Sequence, residues 1–158
     1  MLPSLGLINT AQELKKSHYQ QAIGRSAGGL STKIHVLADG KGRPIAFHLT
    51  AGKAHDLQGA DALLERVNAG ILLADRAYNA KERVVDKLKA NNCLAVIPPK
   101  SNARDKPQYD KQLYRARHLI ENFFAHLKQY RAIATRYDKL ATNFLGGIYL
   151  ASIIIWSI

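Results

Sequence analysis

The chain has 158 residues, with 23 Lys and Arg against 12 Asp and Glu, a formal charge of +11. This length suits one domain with its own core, and 47% hydrophobic against 22% charged residues excludes general disorder. A single cysteine, Cys93, excludes an intramolecular disulfide and any Cys-based metal site. The opening MLPSLGLINTAQELKK has no basic stretch leading into a long apolar run, so the expected location is cytoplasmic. The basic surplus favours a polyanionic partner, nucleic acid before an anionic membrane, or else a merely solvated surface.

Residues 1–22 read as an irregular N-terminal segment, and 23–158 as one domain. The first feature of the domain is IGRSAGG (23–29), glycine-rich and basic, with Arg25 as a candidate phosphate contact. It lacks the Lys-Ser/Thr ending of a nucleotide-binding phosphate loop. Ser31 to Ala38 alternates polar and apolar residues, as a half-buried strand does. Asp39-Gly40 and Gly42 supply a turn, and Pro44 to Thr50 returns as a second strand. Asp56 is placed to cap a helix whose apolar stripe is Leu57, Ala60, Leu63, Leu64 and Val67.

Ile71 to Ala74 and Cys93 to Ile97 are short apolar runs, expected as strands buried on both faces. Between them, Asn79 to Asn91 predicts a helix with Val84, Val85 and Leu88 inward. After Pro98-Pro99 and a polar, basic loop come a long helix from Lys111 to about Tyr130 and a very apolar one from Lys139 to Ile158. The order predicts an α/β fold, a mixed sheet with helices packed on its faces.

Two places have the makings of a site. At about 100° per residue, Tyr114, Arg117 and Lys128 fall within about 40° of Glu121 on one helical stripe. The stripe borders the apolar arc of Leu113, Ala116, Leu119, Ile120, Phe123 and Leu127. Such a stripe is either an ordinary solvated ion-pair surface or the lining of a cleft. Asp75 ends the ILLA run, at the carboxyl end of a strand, where open α/β sheets collect ligands; otherwise it caps the turn that follows. A strand-end Asp and a helical Glu can converge on one divalent cation, and Mg²⁺ takes such hard oxygen ligands while keeping room for water and phosphate. The six histidines show no metal-ligand spacing.

YRARHLIENFFAHLK carries Tyr114, Arg117, Glu121 and Lys128 as Tyr-x2-Arg-x3-Glu-x6-Lys. With LLADRAYNA around Asp75, GRSAGGLSTKIHVLAD, HLTAGKAHDLQGADALL and VIPPKSN, it resembles the catalytic part of DDE-type insertion-sequence transposases, insertion-sequence family five. The resemblance runs from about Ile23 to Tyr149. It implies an RNase H-like fold, with Asp75 and Glu121 as the second and third catalytic acids holding Mg²⁺ (or Mn²⁺) while DNA ends are cleaved and joined to target DNA. Arg117 and Lys128 would contact phosphates, and Tyr114 the end of the element.

The sequence departs from that family at its first catalytic Asp, expected on a strand before the GRS-GG segment. The only acid before Ile23 is Glu13. Leu5 to Ile8 could replace the first central strand, leaving Asn9 near the acidic position. The expectation is therefore an incomplete catalytic domain, a partial frame that works with an upstream-frame product or as a homo-oligomer. The rival is a non-catalytic binder of DNA or transposase that acts as an inhibitor. A membrane role for the uncharged stretch from Leu140 to Ile158 is disfavoured by Thr142, Asn143, Gly146, Gly147, Ser152 and Ser157.

Overall fold

The alternation read in Ser31–Ala38 becomes a hairpin. In the computed structural model, which describes residues 21–26, 29–101, 103 and 108–157, β2 (Gly29–Ala38) and β3 (Pro44–Ala51) pair antiparallel, with Ile34 opposite Leu49 and Val36 opposite Phe47. A short β1 (Gly24–Ser26) pairs with the start of β2. Asp39 closes the turn, its Oδ1 accepting from Lys41 N–H and Arg43 N–H at 2.9 and 3.0 Å.

The two faces of the hairpin bury different partners. Ile34, Val36, Phe47 and Leu49 meet Phe123 and Leu127 of α4 (His118–Leu127) and Phe144, Ile148 and Ala151 of α6 (Ala141–Ser157). The opposite face carries Lys33, His35 and Thr50, and is covered by α1 (Leu57–Leu64). A second core joins Leu57 and Ala60 of α1 to Val84, Leu88, Cys93 and Ile97. Arg136, at the foot of α6, donates to the carbonyls of Gln21 and Ala22 and to the Thr32 hydroxyl, and its guanidinium lies 4.7 Å from the Phe144 ring centroid.

Among the described residues, the strands expected in one mixed sheet form two separate ladders. β1-β2-β3 is antiparallel; β4 (Ile71–Leu73) and β5 (Leu94–Val96) pair parallel, Leu72 opposite Ala95. Beyond Ser31, β2 has β3 as its ladder partner among the described residues. The segment 5–8, read as a substitute central strand, lies outside the described residues, as do Asn9, Glu13 and nearly all of the irregular segment 1–22. Burial of β4 and β5 on both faces is corrected too: Ile71 and Leu94, cross-strand neighbours, are 45% and 57% exposed. A two-stranded ladder covers only part of each strand.

Three further expectations shift. Asp56 stands at the start of α1 but makes no side-chain cap bond; its Oδ1 accepts from Lys33 Nζ at 2.8 Å instead, because β2 brings that ammonium over the helix start. The helix predicted over 79–91 opens with a π-helical turn (Lys81–Val85), where Ala80 C=O accepts from both Val84 and Val85, before α2 (Asp86–Ala90). Val84 and Leu88 still face inward. The long helix from Lys111 divides into α3 (Lys111–Arg115), α4 and a short α5 (Arg131–Ala134).

The last helix, expected as core, is core on one side only. Phe144, Ile148, Ala151 and Ser152 are buried, while Leu150 and Ile153 are 61% and 62% exposed. Among the described residues no helix is long and apolar enough to cross a membrane.

Candidate active site

β4 ends at Leu73, and Ala74 prolongs the ladder by donating to Val96 C=O at 3.3 Å. Asp75 is thus delivered, in extended conformation, to the carboxyl end of the parallel pair. A single 3₁₀ turn (Arg76–Tyr78) follows, closed by Tyr78 N–H donating to Asp75 C=O at 2.9 Å. Asn79 fastens this turn to the end of β5, its Nδ2 donating to Pro98 C=O at 2.9 Å.

The opposing wall comes from α3 and the start of α4. Asp110 caps α3, its Oδ1 accepting from Gln112 and Leu113 N–H at 2.8 and 2.9 Å. At the break after Arg115 the helical path continues through i→i+3 bonds such as Arg117 N–H to Tyr114 C=O. Tyr114, Arg117 and Glu121 therefore stay on one side despite the break.

Arg117 joins the two acids. Its Nη2 donates to Asp75 Oδ2 at 3.1 Å and its Nη1 to Glu121 Oε1 at 2.9 Å. The guanidinium carbon lies 5.7 Å from the Tyr114 ring centroid, and Tyr109 meets Tyr114 edge-on at 5.5 Å. Burial pushes the Tyr114 hydroxyl above its ordinary pKa, against the pull of Arg117. Asp75, Arg76, Pro98, Pro99, Tyr109, Tyr114 and Arg117 line one open cleft of about 380 Å³.

This arrangement converges Asp75, Glu121, Arg117 and Tyr114. The chain belongs to the Transposase DDE domain family. That family matches residues 7–156. A protein of Brucella ovis named "Putative transposase for insertion sequence element IS6501" is 37% identical over 131 residues, covering 80% of this chain and 98% of that protein. No solved structure matches the chain. DDE transposase domains have an RNase H-like α/β fold, act on DNA and use divalent metal ions such as Mg²⁺.

Other candidates lie apart. Lys128 is exposed at the C-terminal end of α4, about 10 Å along the axis from Glu121 at 1.5 Å per residue. Arg25 is exposed on β1, opposite Leu30, and does not line the cleft. Sequence reasoning did not single out Tyr109, Asp110, Arg76 or Asn79. Asp110 was signalled: an Asp immediately before a helix is a cap in waiting. Asn79 was not, since its partner is a carbonyl 19 residues away.

The donor chemistry of Asp75 and Glu121 fits Mg²⁺. Both are hard carboxylates, they flank one cationic group, and their exposed setting leaves room for water or phosphate oxygens. Among the described residues no three His, Cys, Asp or Glu side chains cluster to hold a metal. Asp75 and Glu121 are the two acids that Arg117 joins, and a three-acid centre is not assembled among the described residues.

Proposed function

We propose that this chain is the catalytic part of a family-five insertion-sequence transposase of the Tyr-Arg-Glu-Lys type. Residues 23–158 make up the catalytic domain and act in the cytoplasm on transposon ends and target DNA. Asp75 and Glu121 are the catalytic, metal-holding acids. Tyr114 and Arg117 engage DNA in the cleft, while Lys128 and Arg25 hold flanking phosphates. The observation that carries this reading is the bridging of a strand-end Asp and a helical Glu by one arginine, 42 and 4 residues away from it in sequence.

A divalent ion on these carboxylates would activate an attacking water or 3′-hydroxyl and offset charge on the leaving oxygen. Asp75 and Glu121 orient that chemistry; Arg117 and Arg76 draw the scissile phosphate into the cleft; Tyr114 packs against the DNA end. The first acid is supplied from elsewhere, by an upstream-frame product or a fused segment. What supports this is that Glu13 is the only acid before Ile23.

The test is nicking of labelled DNA carrying the element's ends, with Mg²⁺ or Mn²⁺. The chain alone should work near background. Adding the upstream segment with its Asp should restore nicking, and Asp75→Asn or Glu121→Gln should abolish it. DNA binding that inhibits a full-length transposase, with no restoration, would favour the inhibitor reading. Robust nicking that survives Glu121→Gln would overturn the assignment of that residue.

A further inference from the structure

We infer that Arg117 couples DNA binding to divalent-ion binding by serving as an exchangeable counter-ion between Asp75 and Glu121. The inference rests on the proposed transposase reading and deepens it. The guanidinium spends one prong on each carboxylate, Nη1 on Glu121 and Nη2 on Asp75, at 2.9 and 3.1 Å. It thereby takes up one oxygen of each carboxylate, Glu121 Oε1 and Asp75 Oδ2, and places a fixed positive charge between the two acids. Two cations cannot share those oxygens without strong mutual repulsion, so one leaves when the other arrives.

Arg117 has somewhere to go. A phosphate offers its guanidinium the same forked geometry as a carboxylate. Arg117 already lines the cleft beside Arg76 and rests near the Tyr114 ring, so a phosphate entering there meets it without a large displacement of the helix. Its side chain is 24% exposed, reachable from the cleft yet held in place. A DNA phosphate that captures Arg117 releases both carboxylates from their ion pairs, and these take the ion. Without DNA the arginine suppresses ion binding. The device would keep a nuclease centre from assembling until its substrate is seated.

Coupling of this kind is reciprocal: DNA must strengthen ion binding by the same factor as the ion strengthens DNA binding. The experiment uses the full chain and counts free Mn²⁺ by electron paramagnetic resonance, with and without a short DNA duplex, at fixed ionic strength. Mn²⁺ bound by the duplex alone is subtracted. In wild type, DNA should tighten Mn²⁺ binding about tenfold, within the usual range of such couplings. Arg117→Gln without DNA should bind Mn²⁺ about tenfold more tightly than wild type and gain little from DNA. Arg117→Lys, with one ammonium in place of a fork, should fall between.

Equal or weaker Mn²⁺ binding by folded Arg117→Gln overturns the inference, because an ion that merely bridges protein and phosphate would not be tightened by removing the arginine. Should that variant fail to fold, the wild-type comparison decides: no mutual strengthening overturns it. Failure of the underlying function reads differently, as Mn²⁺ binding indifferent to Asp75→Asn and Glu121→Gln.

Discussion

Gly59 of α1 lies directly under the His35 ring of β2: a Cβ on Gly59 would stand 2.3 Å from the ring's Cγ and Nδ1. The bare backbone lets α1 close on the sheet while His35 spans two partners. Its Nε2 meets the Thr50 hydroxyl at 2.8 Å, and its Nδ1 meets the Tyr78 hydroxyl at 2.7 Å. Tyr78 belongs to the turn that immediately follows Asp75. The hairpin thus fixes the strand end that carries Asp75 through one buried histidine.

Gly59→Ala should therefore destabilise by about 1–3 kcal/mol, the usual range for overpacking, read as a lower Tm. Tyr78→Phe keeps the ring and removes one hydrogen bond, costing about 1 kcal/mol. A Tm unchanged in Gly59→Ala would contradict the packing of α1 on His35.

The same histidine gives a pH dependence. Burial holds His35 below its ordinary pKa of 6.5, with His48 and Lys33 acting in the same direction and Asp56 against them. Burial also pushes the Tyr78 hydroxyl up to about 12, so that group stays neutral and able to donate. In the unfolded chain His35 takes its proton near 6.5; in the folded chain it resists until lower pH. The unfolded state then binds more protons, so stability is full above pH 6.5 and falls as pH drops from there toward the folded pKa. Melting curves of wild type against His35→Gln should show the steeper loss in wild type across that interval. Parallel curves would remove His35 as the source.

The sequence made local patterns readable and long-range ones not. The hairpin was legible because period-two alternation and an Asp-Gly turn are local signals, and Val84 and Leu88 were placed inward by spacing alone. Asp75, Arg117 and Glu121 were singled out by type and position, yet the arginine bridge could not be, because it joins residues 42 apart. Asp56 looked like a cap until the fold brought Lys33 over it. The last helix defeated pattern reading for a physical reason: it is apolar all round, so no stripe marks the side that Phe144 and Ile148 bury.

That helix separates two kinds of substitution. Ile148 is fully buried between the hairpin and α4, and Ile148→Ala should cost about 2–5 kcal/mol. Leu150→Lys, on the exposed side, should change stability by no more than about 0.5 kcal/mol. Denaturant titrations decide it, and equal losses would mean that the exposed side is packed in solution.

Cys93 stands just before β5, buried, with its thiol pushed up by burial. An aqueous thiol reagent should label it slowly in the native protein and quickly in denaturant. Rapid native labelling would contradict its place in the core with Leu57 and Leu88.

The last prediction concerns Asp110, which touches neither acid yet caps the start of the wall that carries Tyr114, Arg117 and Glu121. Its carboxylate satisfies two otherwise open N–H groups of α3, Gln112 and Leu113. α3 is only five residues long, so it has little internal hydrogen bonding to hold it without the cap. It bears Tyr114, and its end leads directly into Arg117. Asp110→Ala should cost about 1 kcal/mol of global stability, the ordinary value of a lost cap. Its effect on the site should be larger than that cost implies, because fraying of α3 moves Tyr114 and slackens the grip of Arg117 on Asp75. DNA affinity, measured well below the melting range at fixed salt, should therefore fall in Asp110→Ala. Asp110→Asn should restore it, since asparagine caps about as well as aspartate. If Asp110→Asn behaves like Asp110→Ala, the charge and not the cap is what matters. If Asp110→Ala binds DNA as wild type does, α3 is held by the cleft itself and needs no cap.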